Sequence, residues 1–105
     1  MTHLEVVGTQ PVLRISGEID LATLPSVRSD LVRAISTYPR VRIAVDLDGV
    51  TALDDAGLGI LLGAAARARD SGGDLVLVCT TPALVARLER TGASRAIDVV
   101  DRIEG

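Results

Sequence analysis

Short apolar runs alternate along this chain with segments in which apolar residues recur at every third or fourth position, and this alternation constrains the fold more than any other feature. Residues 75–79 read Leu-Val-Leu-Val-Cys, a continuous run of strand length that is expected for a parallel strand covered on both faces. Between residues 24 and 38 the apolar residues instead fall on one stripe of a helix: Leu24, Val27, Leu31, Ile35 and Tyr38. Such alternation is typical of βαβ units, so the sequence predicts a single α/β domain over residues 1–105 with a mixed, mostly parallel sheet of about five strands and about three or four helices.

Turn and cap signals set the expected element boundaries, in the order β β α β α β α β. The pattern predicts strands at 4–7, 12–15, 41–47, 75–79 and 97–100, and helices that begin at Thr23 or Leu24, at Gly57-Leu58 and at Thr81-Pro82. Their predicted ends are Pro39, Ser71-Gly72-Gly73 and Gly92. The chain is expected to turn through Asp48-Gly49, and residues 101–105 are expected to form a tail or a brief final helix.

Composition excludes several classes of function. Phe and Trp are absent, Tyr38 is the one aromatic residue, and the net charge is −3. Nucleic-acid binders need basic side chains for the phosphates or aromatic side chains for stacking, so nucleic acid is an unexpected partner. Cys79 and His3 are the only residues of their types, so they form neither a metal site nor an internal disulfide. We expect Cys79 to be a small core residue. Without a signal sequence or a long apolar segment, we expect a cytoplasmic protein that does not insert into a membrane.

Three loops should emerge at the carboxyl edge of the predicted sheet, at residues 17–22, 48–57 and 80–82, where α/β proteins place their functional crevice. The acidic residues Asp20, Asp54 and Asp55 should therefore be neighbours. We expect Asp54 or Asp55 to cap the helix that follows. Paired carboxylates also fit a small acid/base or metal-dependent hydrolase, but no His, Lys, Cys or Tyr accompanies them, so we expect no enzyme activity, no cofactor and no metal.

The same helix contains Gly59 and Gly63, which are about one turn apart. Glycine inside a helix costs on the order of 1 kcal/mol relative to alanine, so a pair suggests that something packs very close. Packing against the protein's own sheet is favoured over a partner surface.

Residues 45–59, with Gly17-Glu18-Ile19-Asp20 upstream, resemble the STAS domain family, in particular the stand-alone bacterial anti-sigma factor antagonists. Residues 71–74 and 88–92 are also similar to that family. The resemblance implies a STAS-like fold and a protein that binds an anti-sigma factor of the serine kinase type and thereby releases a sigma factor. We expect a monomer or weak homodimer. The partner-binding residues that the resemblance implies are Asp20, Asp54, Asp55, Ala56, Gly57 and Leu58.

Members of this family are switched off by phosphorylation in an Asp-Ser-(Ser/Thr)-Gly-Leu motif, and here Ala56 matches the acceptor position while Asp55 matches the preceding Ser. Neither residue has a hydroxyl group, so phosphorylation at the usual position is chemically impossible. Either the antagonist is constitutively competent, or the charge of Asp55 weakens binding as phosphate would. The first is favoured, because Ala56 keeps the surface small and a helix N-terminus can absorb the charge of Asp55. Thr51, in the same loop, is a weaker candidate acceptor.

The alternative function is a STAS accessory subunit of a membrane transport system, and neighbouring genes would separate the two. For the favoured function, we expect Ala56→Glu or Gly57→Arg to weaken partner binding and to leave the fold intact.

Overall fold

The computed structural model describes residues 1–103. Its elements follow the predicted order: β1 (Thr2–Val7), β2 (Gln10–Ile19), α1 (Leu24–Thr37), β3 (Arg42–Leu53), α2 (Asp55–Asp70), β4 (Asp74–Val78), α3 (Pro82–Arg90), α4 (Ala93–Ala96) and β5 (Asp98–Val100). The short α4 is an addition to the prediction. Of the predicted final segment, residues 101–103 are not helical and residues 104–105 lie outside the described part.

The strands form a five-stranded sheet in the order β1-β2-β3-β4-β5, in which β1 is antiparallel to β2 and every other pair is parallel. Each parallel pair consists of adjacent strands joined by a helical connection. Such connections are nearly always right-handed, so successive helices lie on the same face of the sheet. The main core lies between that face and the helices. Its largest fully buried side chains include Leu13, Leu31, Leu47, Leu61, Leu77 and Leu88.

The opposite face of the sheet carries a second, smaller apolar cluster. Val12, Ala44, Val76 and Val78 are all buried there. Residues 75–79 are therefore buried along their whole length, as their continuous apolar run predicts.

The predicted turn at Asp48-Gly49 is wrong, because β3 continues through it to Leu53. Gly49 lies opposite Ser16, where the register between β2 and β3 shifts. A Cβ atom at Gly49 would be 3.0 Å from the Ser16 Cβ, so glycine allows the two backbones to approach. The Asp-Gly pair thus marks an irregularity inside a strand. Glycine is common at such irregularities as well as in turns.

Strand β2 likewise continues through Gly17 to Ile19, where the predicted pattern ended. Gly17 has a φ of 87°, a left-handed conformation that glycine adopts without steric cost, and the register shifts again between Gly17 and Glu18. At the ends of the two strands Ile19 pairs with Leu53. The next residues, Asp20 and Asp54, therefore begin neighbouring loops at the same edge.

The expectation that Gly59 and Gly63 pack against the protein's own sheet is wrong. Both glycines are exposed, and a Cβ atom added at either would meet no other atom within 4 Å apart from its sequence neighbours and its own helix backbone. Alanines fill the inward positions instead, since Ala64, Ala65 and Ala68 are buried.

Within residues 1–103, none of the helices combines the length and the apolar character that a membrane crossing requires.

Candidate functional site

Helix α2 begins with a carboxylate cap. Asp54 is the N-cap residue with extended backbone, and its Oδ1 accepts a hydrogen bond of 2.8 Å from the backbone N–H of Gly57. This bond satisfies one of the N–H groups that a helix leaves unpaired at its start. The predicted capping is confirmed, although the helix starts at Asp55, two residues earlier than Gly57.

Removing this cap should destabilise the protein. We expect Asp54→Ala to lower the free energy of unfolding by about 1 kcal/mol, because the Gly57 N–H loses its acceptor. Urea unfolding followed by circular dichroism measures the change, and Asp54→Asn, which keeps an acceptor oxygen, is the matched control. Equal stability of Asp54→Ala and the wild type would contradict the assignment.

Asp55 points into solvent and contacts a basic residue that the sequence analysis did not identify. Its side chain is 94% exposed, and its Oδ1 lies 2.6 Å from Nη2 of Arg87 on α3. Arg87 itself is 29% exposed, and its buried Nε has no hydrogen-bond partner within the described chain. The charge of Asp55 is thus opposed by a guanidinium group and by the positive end of α2. No local sequence signal indicated Arg87, since the pair joins residues 32 positions apart.

Ala56, which is predicted to match the phosphoacceptor position, is exposed in the first turn of α2. Its methyl group adds no donor, acceptor or charge to the surface, so the exposed start of the helix consists of Asp54, Asp55 and this small apolar residue.

Gly57 and Leu58 face inward in this chain. Leu58 is 6% exposed, and a Cβ atom at Gly57 would lie 2.6 Å from Cγ2 of Ile19 and 2.7 Å from Cδ1 of Leu53. Real Cβ atoms do not approach other atoms so closely. The expectation that Gly57→Arg leaves the fold intact is therefore wrong, because any side chain at this position displaces the ends of β2 and β3.

Asp20 is half-buried and holds the turn that leads into α1. Its Oδ1 accepts hydrogen bonds from the backbone N–H groups of Ala22, at 3.0 Å, and Thr23, at 3.1 Å. The preceding residue contacts the start of α2, since the Ile19 carbonyl accepts a 3.4 Å hydrogen bond from Asp54 N–H. The predicted proximity of the two acidic stretches is confirmed.

The third loop of this edge is attached to β3 by Asp48. Its Oδ1 accepts hydrogen bonds from the backbone N–H and the hydroxyl group of Thr80, at 2.6 and 3.0 Å. Just before that loop, Cys79 is 3% exposed. Burial raises the pKa of its thiol, so the protonated and unreactive form is favoured.

We call the surface formed by Asp20, Asp54, Asp55 and Ala56 the acidic edge. Its carboxylates are used in hydrogen bonds to backbone N–H groups and in the ion pair with Arg87. Across residues 1–103 no group of three or more His, Cys, Asp or Glu side chains is arranged to hold a metal ion. The carboxylates that a general acid or base would need are thus already engaged by local partners.

Comparisons with known proteins add independent findings. A sequence model of the STAS domain matches residues 2–105. The anti-sigma-B factor antagonist of Bacillus subtilis (strain 168) is 31% identical over 93 residues, which is 89% of this chain and 84% of that protein. The anti-sigma F factor antagonist of Paenibacillus polymyxa is 27% identical over 86% of this chain and 77% of that protein.

Solved structures agree on the fold. The crystal structure of an anti-sigma factor antagonist from Mycobacterium paratuberculosis superposes with a TM-score of 0.86 at 24% identity, covering 98% of this chain and 86% of that one. The five-stranded, mostly parallel sheet with helices on one face is thus the fold of this neighbour.

Proposed function

The chain belongs to the STAS domain family, and from this we propose that it is an anti-sigma factor antagonist that binds its anti-sigma factor through the acidic edge. The observation that carries the proposal is the similarity, over most of the chain, to proteins named as antagonists of this kind. The proposed partner is an anti-sigma factor of the serine kinase type, and binding would free a sigma factor. This role places the protein in the cytoplasm, as a monomer or weak homodimer that catalyses no reaction.

The proposed contact surface is supported by exposure. Asp54, Asp55 and Ala56 are exposed and contiguous, and Asp20 lies at the start of the neighbouring loop. Gly57 and Leu58 support this surface from beneath, because both are buried. We therefore assign direct contact to the exposed residues and a shaping role to the two buried ones.

The protein is proposed to lack the usual off-switch. Ala56 is exposed at the helix start, where a serine hydroxyl would be open to a kinase, but alanine offers no oxygen to phosphorylate. Arg87 supports the competent form over the attenuated one, because its ion pair with Asp55 opposes the one charge that could imitate a phosphate. A phosphate carries about −1.5 to −2 charges, against the single charge of Asp55.

The test is phosphorylation by an anti-sigma factor kinase. Incubated with the purified kinase and Mg-ATP, the wild type should form a complex and gain no phosphate by mass spectrometry. Ala56→Ser should gain one phosphate at residue 56 and then leave the complex, since the added charge faces Asp54 and Asp55.

Two results would count against the proposal. Phosphate on Thr51 of the wild type would show that a switch remains, because Thr51 is an exposed residue of β3 near this edge. Failure of the wild type to bind any anti-sigma factor would remove the proposed function itself.

A further inference from the structure

A groove of about 270 Å³ lies on the outer surface between α1 and α2. Gly59 and Gly63 line it from α2, together with the half-buried Ile60, and Val32 lines it from α1. We call this the α1/α2 groove.

The groove adjoins a basic opening. Arg28, Arg33 and Arg67 line the continuous surface depression beside it, and all three are exposed. Within residues 1–103 none of them forms an ion pair, whereas Arg14, Arg42, Arg69 and Arg87 each do. Three unpaired guanidinium groups on one face of a chain with a net charge of −3 favour a negatively charged occupant.

Because Gly59 and Gly63 have no side chains, an occupant of the groove can approach the backbone of α2 closely. Each glycine costs on the order of 1 kcal/mol of stability relative to alanine in a helix interior, and no contact within the described chain requires their small size. A side chain at either position would instead fill the groove. An occupant can therefore come close to the α2 backbone only because these positions lack side chains.

The groove lies on the same stripe of α2 as Ala56 of the acidic edge. Ala56, Gly59, Gly63 and Arg67 are spaced by three and four residues, so they follow one stripe along α2. From Gly59 to Arg67 the stripe spans roughly 12 Å at about 1.5 Å per residue, which is about two helical turns.

We infer that the α1/α2 groove binds an amphipathic helix of the same anti-sigma factor, with its apolar side against Val32 and Ile60 and its acidic side facing the three arginines. A helix that lies in a groove between helices is a common recognition mode, and the charge of the groove selects an acidic one. This inference rests on the proposed function and adds a second contact region to it.

The experiment uses the purified anti-sigma factor as the probe and titrates it into variants by calorimetry. Gly63→Leu fills the groove, and the double variant Arg28→Glu/Arg67→Glu reverses its charge. We expect each to raise the dissociation constant at least about tenfold. The double variant should also weaken the dependence of affinity on salt.

Arg90→Glu is the matched control, because Arg90 is an exposed helical arginine that forms no ion pair within residues 1–103 and lies in the last turn of α3. It should leave the dissociation constant within about twofold, a small change in binding free energy. Thermal unfolding of every variant checks that the fold is kept, and a Cβ atom at Gly63 meets no neighbouring atom within 4 Å.

The outcomes separate the two hypotheses. If the wild type binds and the groove variants bind equally well, the groove inference is overturned and the proposed function stands. If the wild type does not bind, the proposed function fails and the groove inference falls with it. Self-association of the wild type that Gly63→Leu abolishes would assign the groove to a second copy of this chain and overturn the inference.

Discussion

Replacing Ala56 by glutamate is expected to raise the dissociation constant of the complex with the anti-sigma factor at least about tenfold, a loss of about 1.4 kcal/mol of binding free energy. The substitution puts a third carboxylate beside the exposed Asp54 and Asp55 and replaces a methyl group by a longer side chain. The single cation that contacts this surface, among the described residues, is Arg87, which already pairs with Asp55. The added carboxylate would therefore have no free cationic side chain to pair with, and it would repel an acidic or apolar partner surface.

The fold should not change, because an acidic residue in the first turn of a helix interacts favourably with the helix dipole. We expect the midpoint of urea unfolding to stay close to that of the wild type. Ala96→Glu is the matched control for binding: Ala96 is exposed and precedes β5, at the opposite edge of the sheet. An unchanged affinity of Ala56→Glu would remove the acidic edge from the interface.

The same substitution at two glycines of α2 should have effects of opposite sign. Gly57→Ala is expected to lower the free energy of unfolding by about 1 to 3 kcal/mol, because the new methyl group overlaps Ile19 and Leu53. Gly59→Ala is expected to raise it by about 1 kcal/mol, because its methyl group meets open space and alanine is the better helix former.

Urea unfolding of the two variants under identical conditions measures both effects. Both substitutions replace glycine by alanine and change the helix propensity equally, so each is the control for the other. The difference between their free energies of unfolding therefore reports the tertiary contacts of Gly57. Stabilisation by both substitutions would mean that Gly57 is not packed against the ends of β2 and β3.

Regular elements were predictable because their signals are local. The stripe of apolar residues in α1, the continuous run of β4 and the Thr81-Pro82 start of α3 all lie within a few positions of one another. The irregular positions of the strands could not be predicted from local signals. Asp48-Gly49 has the composition of a turn, but the pairing of Gly49 with Ser16 keeps it in a strand, and that partner is distant in the sequence.

The candidate site also has features that follow from the sequence and features that depend on tertiary packing. The order of its residues and the absence of a hydroxyl group at Ala56 and Asp55 follow from the sequence alone, since they are matters of residue identity. Proximity of Asp20 and Asp54 followed from the rule that parallel strands end at one edge. The pairing of Asp55 with Arg87 could not be predicted, because it depends on how α3 packs beside α2.

The sequence by itself thus determined the order of the five strands and of the three longer helices, and the absence of a hydroxyl group at Ala56 and Asp55. Only the tertiary structure decided which glycines of α2 are packed and which are open, which cation opposes Asp55, and where an apolar groove meets unpaired arginines. The physical reason is range: backbone periodicity and side-chain chemistry act between near neighbours in the chain, whereas packing and ion pairs join residues that only the folded sheet brings together.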